Sequence, residues 1–428
     1  MTYREATAYL FGRLPMFQRQ GPKAFKKDLH NIERLDHYLD HPHRAFPAVH
    51  IAGTNGKGTV AHLLAGLLQH AGYKTGLYTS PHYKDFRERI KINGQPVSRH
   101  YVTDFVHRHR DFIERSAMSF FEVSVGMALA CFRDEGVDVA VIETGLGGRL
   151  DSTNIITPVL SVITNIGYDH THFLGNTLPA IAQEKAGIIK PGVPVVIGEY
   201  QEEVFDVFRQ QAMQRRAPLH VARDLARWEG ETSLGLHGTS GRLRLADGTT
   251  LRVETGFAGP FVPANLITAT AAYQVLRDAN SPVLPPLRAG AFKELKQLTG
   301  YIGRWTWLSR APRVLADSAH NRHGIALLAR TLKAMRYNRL FYVLGTVRDK
   351  EPDYLFELLP RADFYHCAKA NIPRGMDAER LCALARARNL PGRAYSSVRQ
   401  ALKAARMRAR ADDLIVVTGS IFVVAEII

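Results

Sequence analysis

The segment with the clearest chemistry is a glycine-rich turn, Gly53-Thr54-Asn55-Gly56-Lys57-Gly58-Thr59. Glycines allow successive backbone N–H groups to point into one hollow, and Lys57 adds a full positive charge. The start of a following helix would add partial positive charge, and the Thr59 hydroxyl can reach a metal ion. These residues in this order predict a cradle for a polyphosphate. The alternative is a strand-to-helix turn that binds nothing.

The spacing of this turn departs from the standard Walker pattern, G-x-x-x-x-G-K-S/T. Only Thr54 and Asn55 separate Gly53 from Gly56, and Gly58 stands between the lysine and Thr59. Taken alone, the turn therefore indicates no more than polyphosphate binding near the end of a strand.

Other candidate ligands follow other apolar segments. Glu143 ends one such segment, where a carboxylate can reach a magnesium ion held by ATP oxygens, and Ser80 ends another, where it offers a hydroxyl. His170 follows a third, but histidine is an unusual magnesium ligand, so a hydrogen-bonded turn residue is the alternative. Lys185 lies near the end of a helix predicted at 178–186 and, by spacing alone, would be a surface lysine.

The pattern of apolar residues predicts the elements that position these side chains. A helix from Thr59 to about His70 is expected because apolar residues recur at i, i+3, i+4, i+7 and i+8. Predicted strands are 48–52, 75–79, 137–142, 159–164 and 194–198. Strands that alternate with helices predict a parallel sheet covered on both faces, with ligands beyond the carboxyl ends of the strands.

The alternation restarts in the last third of the chain, with strands predicted at 314–316, 340–344, 364–367 and 414–417. Between the two regions, short polar alternation over 219–256 predicts a small antiparallel addition. The fold class is therefore α/β: an N-terminal P-loop parallel-sheet domain, residues 1–298, and a smaller Rossmann-like domain, residues 299–428.

Composition favours small anionic substrates. The net charge is +16, but lysine and arginine are dispersed along the chain and no nucleic-acid-binding signature occurs. The N-terminus is polar, and no apolar segment is long enough to span a bilayer. Three cysteines without CxxC spacing are typical of buried thiols in a reducing compartment. We expect a cytoplasmic protein that binds neither nucleic acid nor membrane.

The ordered set of motifs resembles the folylpolyglutamate synthase/dihydrofolate synthase family, whose members are relatives of the Mur cell-wall ligases. The resemblance covers nearly the whole chain, and the glycine-rich turn matches the family's own form. The matching motifs are Gly53 to Thr59, Thr79-Ser80-Pro81-His82, Glu143 to Asn154, Asp169 to Gly175 and Glu184 to Lys190.

The resemblance implies roles for the residues around the turn. ATP phosphates would be held by Lys57 and by the loop Thr54, Asn55, Gly56, Gly58 and Thr59. The shell of two magnesium ions would comprise Thr59, Ser80, Glu143, His170 and Lys185. Lys185 matches a lysine that the family carries as a carbamate, which requires a neutral amine and hence a lowered pKa. Lys57, Lys185, His170 and Glu143 are the implied catalytic residues.

Further residues are implied in nucleotide and pterin binding. In the second domain Arg304, Asp317 and His320 match residues that contact the nucleotide, as does Asn265 earlier in the chain. Asp349-Lys350-Glu351 matches another motif there. For the pterin the candidates are Ser119, Phe120, Phe121, Glu122, Asp151 and Ser152, with the loop 14–21 as a further one. Two adjacent phenylalanines are equally typical of a core.

The resemblance implies a ligase that activates a carboxylate. The family joins L-glutamate to dihydropteroate, to the γ-carboxylate of tetrahydrofolate, or to both, through an acyl phosphate, and ATP becomes ADP and phosphate. We expect a monomer with these small molecules as its partners. The alternatives are a Mur-type amino-acid ligase with another acceptor and a basic ATPase whose turnover serves nucleic acid.

Overall fold

The computed structural model describes residues 1–16, 28–235, 238–279, 283–348 and 351–428. Asp349, Lys350 and most of the candidate loop 14–21 lie outside this part of the chain. The chain divides into two compact units. The first comprises Met1–Ser233, Thr239–Phe257 and Phe261–Tyr301, and the second comprises Leu234–Gly238, Ala258–Pro260 and Ile302–Ile428.

The first unit contains an eight-stranded sheet in the order β4-β3-β2-β5-β1-β6-β7-β8. Its strands are β1 (Ala48–Ala52), β2 (Thr75–Tyr78), β3 (Ile90–Ile92), β4 (Gln95–Pro96), β5 (Val139–Glu143), β6 (Leu160–Ile163), β7 (Val195–Ile197) and β8 (Leu219–Val221). The six strands β2, β5, β1, β6, β7 and β8 run parallel to one another. Strands β3 and β4 form an antiparallel edge next to β2. A three-stranded antiparallel sheet adds β9 (Ala226–Gly235), β10 (Gly238–Leu245) and β11 (Thr250–Thr255).

Helices cover both faces of the main sheet because its central strands are apolar on both sides. Alternate residues of β5 point to opposite cores: Val139 and Val141 join one cluster, and Ala140 and Ile142 join the other. The helices of this unit are α1 (Tyr3–Arg13), α2 (His30–Tyr38), α3 (Lys57–His70), α4 (Arg99–Arg115), α5 (Phe120–Asp134), α6 (Thr171–Leu174), α7 (Leu178–Ala186), α8 (Glu202–Arg215), α9 (Ala222–Leu225), α10 (Val262–Asp278) and α11 (Leu295–Thr299).

The second unit is a six-stranded sheet in the order β12-β13-β17-β14-β15-β16, parallel except for the edge strand β12. Its strands are β12 (Thr306–Arg310), β13 (Arg313–Ala316), β14 (Leu340–Leu344), β15 (Phe364–Ala368), β16 (Gly392–Tyr395) and β17 (Leu414–Thr418). Its helices are α12 (Arg322–Ala334), α13 (Asp353–Leu358), α14 (Ala378–Arg386), α15 (Val398–Arg408) and α16 (Ile421–Ala425).

The α/β class predicted from the sequence is confirmed, and two local expectations need correction. Residues 219–221 do not belong to the antiparallel addition: they form β8, parallel to β7 in the main sheet, because α8 returns the chain to that edge. The helix expected from Thr59 begins at Lys57 instead, because Gly56 adopts the left-handed conformation that starts it.

Two further features bear on the expected class of protein. Among the described residues, no helix is both long and apolar enough to cross a membrane. Cys131, Cys367 and Cys382 are buried free thiols.

Candidate functional site

The glycine-rich turn leaves the carboxyl end of β1 and enters α3, and two of its glycines fill positions that no other residue fits. Gly53 has φ +146° and Gly56 has φ +84°. A Cβ atom at Gly53 would lie 1.8 Å from Thr164 Oγ1, and one at Gly56 would lie 2.3 Å from Asn265 Oδ1. The turn is therefore packed against the end of β6 and the side of α10, so its path is fixed.

Residues after β6 hold the same turn by hydrogen bonds. The Thr54 amide donates to the Asn165 carbonyl at 2.8 Å, and the Asn55 amide donates to Asn165 Oδ1 at 2.9 Å. Thr164 Oγ1 donates to the Asn55 carbonyl at 2.6 Å. These bonds use the amides of Thr54 and Asn55. The amides best placed for a phosphate are thus those in the first turn of α3, which lack an acceptor within the helix.

Two lysines converge on the turn. Lys57 Nζ donates to the Gly53 carbonyl at 3.0 Å and to the Thr54 carbonyl at 3.3 Å. Lys185, at the end of α7, donates to the same Gly53 carbonyl at 2.8 Å, and it is only 3% exposed. Burial, and then the charge of Lys57, lower the pKa of Lys185 to about 7, although Asp169 and Asp151 oppose the shift. The buried amine is therefore neutral in a large fraction of molecules near neutral pH.

Several side-chain oxygen atoms that could bind a metal ion lie at the start of α3. Glu143 ends β5, the strand next to β1, and its Oε2 accepts the Ser80 amide at 3.0 Å. A Cβ atom at Gly58 would lie 3.4 Å from Glu143 Oε2, so the carboxylate faces the first turn of the helix. Thr59 Oγ1 lies 2.8 Å from the Tyr301 hydroxyl. Hydroxyl and carboxylate oxygens are the donors that Mg²⁺ prefers, so this set fits that ion.

His170 lies in a turn immediately before α6. It has φ +52°, its amide donates to Asp169 Oδ1 at 2.9 Å, and its Nε2 atom lies 3.9 Å from the same oxygen. The ring is about one-third exposed. Asp169 also acts electrostatically on Lys185, which places this turn on the lysine side of the site.

The candidate nucleotide residues of the second unit form a cluster of their own after β13. Asp317 accepts the Trp305 amide through Oδ2 and the Ala319 amide through Oδ1, both at 2.9 Å. Arg304 Nη1 donates to the Ser318 carbonyl at 3.4 Å, and His320 Nδ1 lies 3.0 Å from that carbonyl oxygen. Within this unit the structure brings Arg304, Asp317 and His320 together.

The candidate pterin residues at the start of α5 separate into different environments. Ser119 and Glu122 form a capping box, since the Ser119 amide donates to Glu122 Oε2 at 2.6 Å and the Glu122 amide donates to Ser119 Oγ at 3.2 Å. Phe120 is 3% exposed and packs on Phe11, with ring centroids 5.4 Å apart. Phe121 is half-buried and faces the turn after β5 instead, where a Cβ atom at Gly145 would lie 2.4 Å from its Cζ atom.

Asp151 and Ser152 lie in the same turn region. Asp151 is buried, accepts the Leu146 amide at 2.8 Å and caps a short 3₁₀ helix that begins at Ser152. Burial raises the pKa of Asp151, although hydrogen bonds from Thr153 and Leu146 oppose the rise. The carboxylate holds the turn after β5 in shape and contributes negative charge near Lys185.

Sequence inspection did not assign Tyr301, Thr164 or the Asn165 side chain to the site. Asn165 was recognisable only as a polar residue at a strand end, and its contact with Asn55 spans 110 residues. Tyr301 reaches Thr59 across 242 residues, and no local motif marks it. Such contacts arise from topology, which spacing along the chain does not encode.

Comparison with known proteins identifies both regions. Residues 51–273 match the Mur ligase middle domain, and residues 303–421 match the Mur ligase, glutamate ligase domain. The chain is 31% identical to the dihydrofolate synthase/folylpolyglutamate synthase of Bacillus subtilis, covering 99% of this chain and 98% of that protein. It is 34% identical to the Escherichia coli protein of the same name, covering 88% and 85%.

One relative is much longer than this chain. A probable bifunctional folylpolyglutamate synthase/dihydropteroate synthase of Haloferax volcanii is 33% identical, but this chain, although fully covered, spans only 50% of that protein.

Solved structures agree with the sequence comparisons. Mycobacterium tuberculosis folylpolyglutamate synthase complexed with ADP aligns with a TM-score of 0.84 at 30% identity, covering 99% of this chain and 97% of that one. Escherichia coli FolC in complex with DHPP and ADP aligns with a TM-score of 0.80 at 30% identity, covering 100% and 96%. The chain belongs to the dihydrofolate synthase/folylpolyglutamate synthase family of Mur-type ligases.

Proposed function

We propose that this chain joins L-glutamate to dihydropteroate, to the γ-carboxylate of tetrahydrofolate, or to both, and that it converts ATP to ADP and phosphate. The observation that carries the proposal is that Lys57 and Lys185 both donate a hydrogen bond to the Gly53 carbonyl, in the turn after β1, in a chain that belongs to this family. A phosphate turn needs one lysine, whereas the second, buried and with a pKa near 7, indicates further chemistry at the same place.

The reaction requires activation because a carboxylate is a poor electrophile. An acceptor carboxylate oxygen forms a bond to the γ-phosphorus of ATP, and the bond to ADP breaks. The glutamate amine then attacks the acyl carbon, passes through a tetrahedral intermediate, loses a proton and expels phosphate. Catalysis of both steps depends mostly on positioning and on neutralisation of the phosphoryl charge.

The residues at the start of α3 fit the phosphate part of this scheme. Lys57 and the amides of the first helical turn bind phosphate oxygens. Thr59, Ser80, Glu143 and His170 would hold magnesium, which when bound neutralises charge on the phosphates. Asn265, packed against Gly56, keeps the turn in position. Arg304, Asp317 and His320 of the second domain, residues 299–428, bind the nucleotide.

Lys185 is proposed to work as a carbamate. A carbamate forms from CO₂ and a neutral amine, and the pKa of about 7 provides that amine at neutral pH. The product carries a negative charge, which would interact favourably with Lys57 and provide oxygen ligands for a second magnesium ion.

The pterin is proposed to bind near the turn after β5. Phe121 offers a partly exposed aromatic face there, and Asp151 with Ser152 shapes the turn. The buried Phe120, and the mutual capping of Ser119 and Glu122, support the position of α5 rather than direct contact with the pterin.

We propose further that the enzyme acts as a cytoplasmic monomer, without nucleic acid or membrane as a partner. The three buried free thiols suit a reducing compartment. Light scattering of the purified protein should give the mass of a single chain.

The decisive experiment measures phosphate release with each substrate omitted in turn. Release should require L-glutamate together with a pteroate or folate acceptor, and it should not respond to DNA or RNA. Mass spectrometry of products from dihydropteroate and from tetrahydrofolate would show which acceptors are used. Phosphate release that does not depend on glutamate and increases with nucleic acid would contradict the proposal. Phosphate release that occurs only with a different amino acid or a different acceptor would identify another Mur-type ligase.

A further inference from the structure

Three side chains bring metal-ligating atoms together at a distance from the glycine-rich turn Gly53 to Thr59, which is called the phosphate turn below. Among the described residues, the ligating atoms of Asp36, His41 and His43 lie within 4.8 Å of one another. The group lies on the chain just before β1, whereas the phosphate turn follows that strand. It is therefore at the amino end of β1 and shares no residue with the proposed magnesium ligands.

Local backbone geometry builds this group. Asp36 lies in the last turn of α2, and the next residues reverse direction through two consecutive left-handed positions, Asp40 with φ +61° and His41 with φ +50°. The His41 amide donates to the Asp36 carbonyl at 2.8 Å, and a 3₁₀ turn from Pro42 to Arg44 then carries His43. The reversal turns both imidazoles towards one carboxylate.

The carboxylate is almost fully enclosed and is shared by the two rings. Asp36 is 5% exposed; its Oδ2 lies 2.7 Å from His41 Nδ1, and its Oδ1 lies 2.6 Å from His43 Nδ1. Burial alone would raise the pKa of Asp36, but the hydrogen bonds from His43 and His41 lower it. The carboxylate is thus an anion with both oxygens directed at nitrogen atoms.

We propose that Asp36, His41 and His43 bind a transition-metal dication of the zinc type, through one carboxylate and two imidazole nitrogens. Two nitrogens and a carboxylate oxygen are a common ligand set for such ions, with bonds of about 2.0–2.2 Å. Ligand atoms around a tetrahedral ion lie about 3.3 Å apart, so the present N···O contacts of 2.6 and 2.7 Å need to open by roughly 0.6–0.7 Å. His41 is about one-third exposed, which leaves a path for the ion and room for a water ligand.

A third histidine supports the arrangement from outside. His37 Nδ1 lies 3.3 Å from His41 Nε2. When His41 Nδ1 binds the ion, its neutral ring carries the proton on Nε2, and His37 is placed to accept it. Metal-bound histidines usually donate their second ring N–H to such a partner, which fixes the ring orientation. His37 is therefore a positioning residue.

Calorimetric titration with Zn²⁺ tests the proposal, using the full chain without an affinity tag and with excess Mg²⁺ to occupy oxygen-ligand sites. The wild type should bind one equivalent, with a rise in Tm of at least about 2 °C that a chelator reverses. His41→Gln and His43→Gln should lose this binding, because glutamine still donates a hydrogen bond to Asp36 but lacks an imidazole. His37→Gln should weaken it by about tenfold.

The control is His107→Gln, which removes an exposed histidine on α4 and should leave binding unchanged. Absence of stoichiometric binding, or equal binding by the wild type and both glutamine variants, would overturn the proposal and leave the cluster as a turn fixed by hydrogen bonds. If the variants do not fold, X-ray absorption of the zinc-loaded wild type decides instead. Two imidazoles in the zinc shell support the site, and a shell with fewer imidazoles or with sulfur rejects it.

Discussion

Lys57 and Lys185 donate to one and the same acceptor, the Gly53 carbonyl oxygen, at 3.0 and 2.8 Å. Two ammonium groups this close repel each other, and the buried member bears the larger desolvation cost. The pKa of Lys185 therefore falls to about 7, with burial as the larger cause and Lys57 as the second. The site thus combines the lysine that we propose to bind phosphate with an amine that is readily neutral.

Replacement of Lys185 tests the carbamate. Lys185→Ala should reduce ligation by more than about 100-fold, because a negatively charged group beside the phosphates is lost, while ATP still binds through the turn. Short carboxylates such as acetate or formate should partly restore activity. Phosphate release gives the rate, and calorimetry with ATP gives the affinity. Lys185→Arg is the matched control: it keeps a cation that cannot form a carbamate and should be as inactive as alanine. Wild-type rates in either variant would refute the role.

The same amine makes stability depend on pH. Its pKa is about 7 in the folded chain and near 10.4 in the unfolded one, so between these values the unfolded state binds more protons. The free energy of unfolding must then rise with pH in that window, by at most about 1.4 kcal/mol per pH unit. Compared with Lys185→Met, the wild type should gain stability from pH 7 to 9 in CO₂-free buffer. Guanidinium unfolding measures this, and a constant difference would show that the pKa is not lowered.

Gly56 and Gly72 provide a matched pair for the phosphate turn. Both are left-handed, so alanine costs about 1–2 kcal/mol of stability at either position. The two positions differ in the space around an added Cβ atom. At Gly56 this atom would lie 2.3 Å from Asn265 Oδ1, whereas at Gly72 it would have no neighbour within 4 Å. Gly56→Ala should therefore also displace the turn and weaken ATP binding by about tenfold or more, whereas Gly72→Ala should leave ATP affinity intact. Equal ATP affinities would exclude the turn as the phosphate site.

The two adjacent phenylalanines should respond differently to truncation. Phe121→Ala should raise KM for the pteroate or folate acceptor up to about tenfold and leave KM for ATP unchanged, since its partly exposed ring faces the turn at Gly145. Phe120→Ala should instead destabilise the fold by about 3–5 kcal/mol, because the ring is buried on Phe11. Steady-state kinetics and denaturant unfolding separate the two effects. An unchanged acceptor KM in Phe121→Ala would remove this residue from the pterin site.

The elements that carry the site were predictable because their signals are local. The strand 48–52, the helix Leu178–Ala186 and the strand Leu340–Leu344 agree with their predicted bounds, since each is a continuous apolar or amphipathic segment between polar residues. The convergence of Ser80 and Glu143 also followed from parallel strand order.

Other features depend on contacts that no local pattern contains. The short β8 was assigned to the wrong sheet because three residues give too little periodicity to show their partner. Lys185 resembled a surface lysine until folding placed it against Gly53, and the different surroundings of Phe120 and Phe121 appear only when α5 is packed. Asp36, His41 and His43 likewise converge through two left-handed residues, which sequence alone did not reveal.

The contact of Gly56 with Asn265 joins a turn that is synthesised early to a helix that is synthesised late. Strands β1 to β8 are complete once residue 221 has emerged, but α10, which carries Asn265, is made later. Tyr301, the partner of Thr59, is made later still. A nascent chain therefore has its main sheet before its phosphate turn is supported. ATP should therefore stabilise chains synthesised beyond these residues more than truncated ones, because only the longer chains hold the turn with Asn265 and Tyr301 in place.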